Sequence, residues 1–173
     1  RDGLMAAPWL VGVVGFGLVG YMAAGVRLGI FCALAFVLVG LLGLWDATLD
    51  TLSQVIVAVA LALLIGLPLG IWAANYDRVR AWMMPVLDLL QTIPVFVYLV
   101  PVIMLFNVGR VPGVIASVLY AVPPMIRLTD LGLRQVAPAA VEAADAFGSS
   151  AWQRLIKVQL PLAMPSIILG VNQ

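Results

Sequence analysis

Few side chains in this sequence could do chemistry, and most of them are charges set among apolar residues. Glu142 stands in an alanine-rich stretch, Ala139-Ala140-Val141-Glu142-Ala143-Ala144, with Phe147 and Gly148 just beyond it. A carboxylate on a thin helix of alanines can pair with an arginine of another protein, and Phe147 adds an apolar knob. Asp88, Arg127 and Asp130 are the charges closest to long apolar runs. Charges at membrane depth are costly, and they mark gates, pathways or ion pairs. Arg127 and Asp130 are three apart and share a helix face. Two outcomes are open for them: local pairing while snorkelling to the nearby cytosolic surface, or an inner-gate or structural ion pair between Asp88 and Arg127 on adjacent helices. Phe96, Tyr98, Phe106 and Tyr120 are aromatics of the kind that cage a quaternary ammonium. Packing is their more frequent role.

The missing residues exclude whole function classes. There is no histidine and one cysteine, Cys32. Imidazole base catalysis and imidazole metal ligation have no candidates, and an intrachain disulfide is impossible. Cys32 lies in an apolar run and reads as a packing residue. No cluster of nucleophiles, bases or metal ligands is visible, so no catalytic, cofactor-binding or metal residue is assigned. A net charge of +1 supplies no field for nucleic acid.

The elements that hold these residues are apolar helices. Hydrophobic residues make up 64% of the chain and charged residues 10%. A soluble domain carries about 25% charged residues, so this surface needs lipid as solvent. A spanning helix takes about 20 apolar residues. Candidate spans run over 8–26, 28–45, 52–74, 85–106 and 111–128, and a sixth apolar run opens at Leu160 and stops short. The expectation is an all-α membrane protein, a polytopic helical bundle with about five complete transmembrane helices plus a truncated sixth. The first two spans form an N-terminal hairpin. Arg1 and Asp2 precede the first run without the pattern of a signal peptide. The chain lacks an initiator Met and reads as a piece of a longer protein.

The positive-inside rule orients the bundle. With the Glu142 region in the cytosol, Arg27, Arg78, Arg80, Arg134, Arg154 and Lys157 fall inside. Arg1, Arg110, Asp2, Asp46 and Asp50 fall outside, and Arg127 lies near the inner boundary. Trp9, Trp45, Trp72 and Trp82 sit at expected helix ends, as in an interfacial belt. Gly66-Leu67-Pro68-Leu69-Gly70 is expected to interrupt the third span, Pro94 and Pro101 the fourth, and Pro123-Pro124 the fifth. Such defects either line a wet pathway or let helices approach closely. The prolines of the fourth and fifth spans favour the pathway, whereas the glycine group is open between the two.

Residues 134–159 are polar and amphipathic. Pro138 suits a first helical turn, and Gly148 suits a left-handed helix end. Ser150 and Gln153 have the spacing of a capping box. Trp152, Leu155 and Ile156 are expected on one face of a second short helix, with Trp152 toward the protein's own core or the membrane interface. Leu160-Pro161 is expected to end that helix and re-enter the membrane.

The spacing has a further meaning. Glu142-Ala143-Ala144, three residues, Gly148, nine residues, then Val158-Gln159-Leu160-Pro161 resembles the EAA motif of ATP-binding-cassette (ABC) importer permeases, with Val158 replacing an isoleucine. Leu87 to Tyr98, Pro124 to Thr129 and Leu160 to Pro165 are similar to the glycine betaine/proline betaine/choline permeases. The resemblance covers roughly residues 48–173; residues 1–47 have suitable hydropathy and no recognisable motif. It implies the type I ABC importer permease fold, with a core domain over 48–173 and a coupling segment at 134–159. It also implies a multi-pass protein of the bacterial or archaeal cytoplasmic membrane.

Cytosolic ABC ATPase subunits would dock at Glu142, Ala143, Ala144, Phe147, Gly148, Leu160 and Pro161, and would hold the ATP and magnesium. A second permease copy and an extracytoplasmic substrate-binding protein or fused domain would complete the machine. Pathway or gate candidates are Asp88, Pro94, Phe96, Tyr98, Tyr120, Pro123 and Arg127. The implied cargo is a compatible solute: glycine betaine, proline betaine or choline. A permease for another small solute, such as an amino acid or an oxyanion, is the nearest alternative. A secondary carrier would not need the 142–161 pattern.

Overall fold

A computed structural model describes residues 9–173. The expectations placed on Arg1, Asp2 and Pro8 lie outside the described residues. Among the described residues the secondary structure is helical throughout. The chain divides into two compact units, Arg1–Ser53 and Gln54–Gln173.

The first unit holds helices α1 (Trp9–Ala24) and α2 (Val26–Leu41). Gly25, at φ 82°, turns the chain between them, and Gly43, at φ 69°, closes the next turn. Both positions use the left-handed region that glycine enters without strain. The two helices pack as the expected hairpin. A Cβ on Gly20 would stand 2.9 Å from Cys32 Sγ, so the thiol fills this crossing as a packing group. Phe16 stacks on Phe36 at 4.0 Å. Both helices stop earlier than the apolar runs suggested. At 16 residues each they measure about 24 Å, shorter than the ~30 Å apolar core of a bilayer.

Helix α3 runs unbroken over Trp45–Asn75. The expected interruption at Gly66–Gly70 is absent. Gly66 and Gly70 are buried, and they serve close packing. A Cβ on Gly66 would lie 2.6 Å from Met125 Cγ, and one on Gly70 2.5 Å from Thr129 Cβ. The small residues recur every fourth position, Ala58, Ala62, Gly66 and Gly70, which makes one flat stripe.

The expected fourth span is two helices. Helix α4 (Asp77–Thr92) and helix α5 (Val95–Phe106) meet at a bend of 86°. The cause is local. A residue before proline is pushed out of the helical region, and Ile93, before Pro94, has ψ 126°. Pro101 does not break α5. Helix α6 (Arg110–Arg134) runs through Pro123-Pro124 and extends past the expected end at Leu128. Pro123, Met125, Ile126 and Thr129 are among its fully buried side chains, so packing on all sides holds the helix where two backbone donors are missing.

Three helical segments are long and apolar enough to cross a membrane: Trp45–Asn75, Arg110–Arg134 and Ala151–Asn172. The α4–α5 pair forms a broken fourth. The second unit's core gathers Met125, Leu133, Val136, Ala163 and Ile167, flanked by residues that include Leu67, Leu155 and Leu160.

Candidate functional site

The segment after α6 folds into a compact elbow. Helix α7 (Pro138–Ala146) opens with Pro138 in its first turn. Glu142 and Ala143 are exposed, Ala144 is buried against the protein, and Phe147 is 91% exposed. Gly148 takes φ 77°. The Ser149 amide donates to Ala144 O at 3.1 Å and the Gly148 amide to Asp145 O at 2.9 Å. Together these bonds form a Schellman closure. Helix α8 (Ala151–Arg154) follows. The Ser150 amide donates to Gln153 Oε1 at 2.9 Å, and the Gln153 amide to Ser150 Oγ at 3.3 Å. The expected capping box is therefore present on both sides.

The second half of the segment differs from expectation in two ways. The helix does not end at Leu160-Pro161. It passes through a π turn, Leu155–Gln159, directly into helix α9 (Leu160–Asn172). The Leu160 amide donates to Leu155 O, five residues back. Residues five apart lie about 140° apart on an α-helix; the wider turn brings Leu155 and Leu160 round to the same core. A proline clashes with the carbonyl four residues back, and the widened turn eases that clash for Pro161. The second difference concerns Trp152: at 69% exposed it does not enter the protein's core, which leaves the membrane interface of its two expected places. Leu155 alone of the expected apolar trio packs against the core; Ile156 is exposed.

A groove of about 350 Å³ opens beside α7, lined by Asn75, Arg134, Val141, Glu142, Leu155 and Gln159. Glu142 and Arg134 thus face one space. Arg154 was expected only as a cytosolic charge, and Asp145 carried no expectation. They form an ion pair across Gly148, with Arg154 Nη1 at 2.7 and 2.8 Å from the two carboxylate oxygens.

The membrane-side candidates are brought together only in part. Arg127 Nη2 donates to Asp88 Oδ1, joining α6 to α4. Asp130 does not pair with Arg127, although the two share a helix face. It is 2% exposed, and accepts from Arg80 Nε at 2.9 Å and Arg134 Nε at 2.8 Å. Arg134 also donates to Ala73 O at 3.0 Å and to Asp77 at 2.7 Å. The Asp130–Arg134 spacing of four was a legible pairing signal. The Arg80 contact, from fifty residues away, had none.

Among the described residues the aromatics of α5 and α6 make no ring-to-ring contact with one another. Among the described residues the ring contacts join Phe16, Phe36 and Trp45. Phe96, Phe106 and Tyr120 are exposed, and Tyr98 is half-buried. Pro94 marks the sharp bend between α4 and α5, whereas Pro123 is fully buried in the packed interior. A cavity of about 320 Å³ lies among Leu90, Gln91, Tyr120, Pro124 and Gln173. Among the described residues no three His, Cys, Asp or Glu side chains gather to hold a metal ion.

Comparison with known proteins adds sequence and fold relatives. Residues 66–171 match the family described as binding-protein-dependent transport system inner membrane component. The chain is 45% identical over 170 residues to the glycine betaine/proline betaine transport system permease protein ProW of Escherichia coli, covering 98% of this chain and 48% of that one. It is 45% identical to the glycine betaine transport system permease protein OpuAB of Bacillus subtilis, covering 99% of this chain and 61% of that one. It is 42% identical to the trimethylamine N-oxide transport system permease protein TmoV of Ruegeria pomeroyi, covering 96% of this chain and 25% of that one. The chain thus spans 25% to 61% of these relatives' lengths. Among solved structures, the MetNI methionine ABC transporter in an inward-facing conformation matches with a TM-score of 0.59 at 23% identity. That match covers 71% of this chain and 63% of the other, and it concerns the fold.

Proposed function

The chain belongs to the family of binding-protein-dependent transport system inner membrane components, and on that premise we propose that it is the pathway-forming permease of an ATP-driven importer. It is a multi-pass membrane protein, and its α7–α8 elbow is the seat of a cytosolic ATPase. ATP and magnesium reside on that ATPase. A second permease copy completes the pathway, and a substrate-binding protein or domain delivers the solute from outside.

One observation carries the reading: the exposed Glu142–Phe147 stretch of α7 is joined through the turn at Gly148 to α8, which runs through the π turn into α9 without a break in the helix. A push that the elbow passes on to α8 therefore has a continuous helical route into a membrane-embedded helix. The energy required is modest. Shifting a two-state equilibrium from 1:99 to 99:1 takes about 5.5 kcal/mol of differential binding. Closure of an ATPase pair on the elbow would drive such a shift between inward-open and outward-open forms.

The solute is read from chemistry shared by the relatives. Glycine betaine, proline betaine and trimethylamine N-oxide, named for related permeases, each combine a methylated, positively charged nitrogen with an anionic oxygen. We assign a solute with such a methylated, positively charged nitrogen, with glycine betaine, proline betaine or choline as first candidates; choline shares the nitrogen and carries a neutral hydroxyl in place of the anionic oxygen. The test uses the full transporter in proteoliposomes with ATP inside. Uptake of labelled glycine betaine that needs ATP and is competed by choline or proline betaine is the expected result. Uptake driven by an ion gradient without ATP would replace the importer with a secondary carrier. Competition by amino acids alone would redirect the cargo.

A further inference from the structure

We propose that Asp145 and Arg154 are positioning residues that hold the elbow at Gly148 at one angle, so that motion imposed on α7 reaches α9 instead of being absorbed in the turn. The proposal rests on the coupling role given above and names the part that makes the elbow stiff.

The elbow has a soft point. The Schellman bonds secure the chain as far as Ser149, and the capping box takes hold from Ser150. The link between those two residues belongs to neither closure, and Ser150 is extended there at ψ 158°. Helix α8 is the first turn of the continuous Ala151–Asn172 helix, so the Ser149–Ser150 link is where the elbow can flex. Two side-chain braces span the link. On the inner side Val141 and Leu155 pack against the same core. On the outer side Arg154 Nη1 bridges both oxygens of Asp145. An apolar contact permits sliding, whereas a charge-assisted contact from one guanidinium nitrogen to both carboxylate oxygens holds the distance across the link.

Position in the chain makes the pair useful. Asp145 lies near the end of α7, three residues after Glu142, and Arg154 is the last residue of α8 before the π turn. The clasp therefore joins the end of the helix that receives the push to the start of the turn that leads into α9. The carboxylate is 47% exposed and the guanidinium 32%. A pair so wet adds little to global stability. Its effect is on the elbow angle, and its loss should leave folding and ATPase binding intact.

The test compares Asp145→Asn, Arg154→Gln and the exchange Asp145→Arg/Arg154→Asp in the full transporter, with Asp145→Glu as the conservative variant. Spin labels at positions 139 and 157, in a Cys32→Ser background, report the spread of the α7-to-π-turn distance. Solute accumulated per ATP hydrolysed reports coupling, and ATPase co-purification reports docking. We expect broader distances in both single variants and a loss of about fivefold in solute per ATP, the low end of an ordinary coupling free energy. Docking should be unchanged, and the exchange and the Glu variant should recover both readouts. Single variants with unchanged distances and an unchanged ratio overturn the positioning role, as does an exchange that recovers neither. A wild-type transporter that hydrolyses ATP and accumulates no solute overturns the coupling reading instead, a different result from a coupled wild type with an indifferent Asp145→Asn.

Discussion

Arg80 Nε donates to Asp130 Oδ2 at 2.9 Å, tying the start of α4 to the end of α6. The carboxylate is almost fully buried, and Arg134 holds its other oxygen. Arg134 in turn reaches Ala73 O and Asp77, so one buried acid fixes the ends of α3, α4 and α6 together. This cluster lies where α6 hands over to the elbow.

Removing Asp130 leaves Arg134 and Arg80 without their shared partner. Breaking a fully buried pair costs about 3–5 kcal/mol, and the cost here falls below that range because the two arginines left behind are partly exposed and can be solvated. Asp130→Ala is expected to lower the thermal midpoint in detergent sharply, and Arg80→Ala much less, because Arg80 is half exposed. Equal midpoints for Asp130→Ala and wild type would show that the cluster does not organise this end of the bundle.

Gly70 meets Thr129 with no room for a methyl group. Gly70→Ala forces α3 and α6 apart, with an overpacking penalty of about 1–3 kcal/mol. Thermal unfolding of the purified variant reads this directly. A stability equal to wild type would contradict the close approach.

Gly148 offers a cleaner separation of backbone from packing. Its φ is positive, and a Cβ there would meet nothing within 4 Å. Asparagine tolerates the left-handed region and a β-branched residue does not. Gly148→Asn should keep most ATP-driven uptake and Gly148→Val should lose it, with both inserted normally in the membrane. If valine is as active as asparagine, the turn geometry is not required for coupling.

Phe147 and Glu142 test docking. Phe147 is almost wholly exposed, so Phe147→Ala should cost little stability, yet it should weaken ATPase co-purification. Glu142→Lys should abolish coupled uptake while leaving insertion intact. Normal uptake by both variants would remove this face from the docking site.

Asp88 and Arg127 pair across α4 and α6. Either single neutralisation should impair transport, and exchanging the two charges should restore part of it. An exchange that restores nothing would argue that the two residues act separately.

The elbow was legible in the sequence because its signals are local. Pro138, Gly148 and the Ser150/Gln153 box each act within a few residues, and each is where its type and spacing placed it. The helical membrane class followed from composition, and the Asp88–Arg127 pair was one of two outcomes open for those charges. Helix breaks were less legible. Of the prolines expected to interrupt spans, Pro94 breaks the helix sharply while Pro68, Pro101 and Pro123-Pro124 stay within continuous helices. The missing hydrogen bond is a local cost, and surrounding packing decides whether the helix survives it.

The amino-acid order by itself therefore determined the lipid-facing helices, the exposed Glu142–Phe147 face and the turn at Gly148, because composition and short-range geometry suffice for these. Tertiary structure alone decided that Gly66 and Gly70 serve close contact, that Asp130 chooses Arg80 and Arg134 over Arg127, and that Arg154 closes on Asp145. It also decided the π turn that carries α8 into α9, since Leu155 and Leu160 reach one core only when the helix widens between them. Each of these outcomes depends on what stands across the gap, and that is set by helices far apart in the chain.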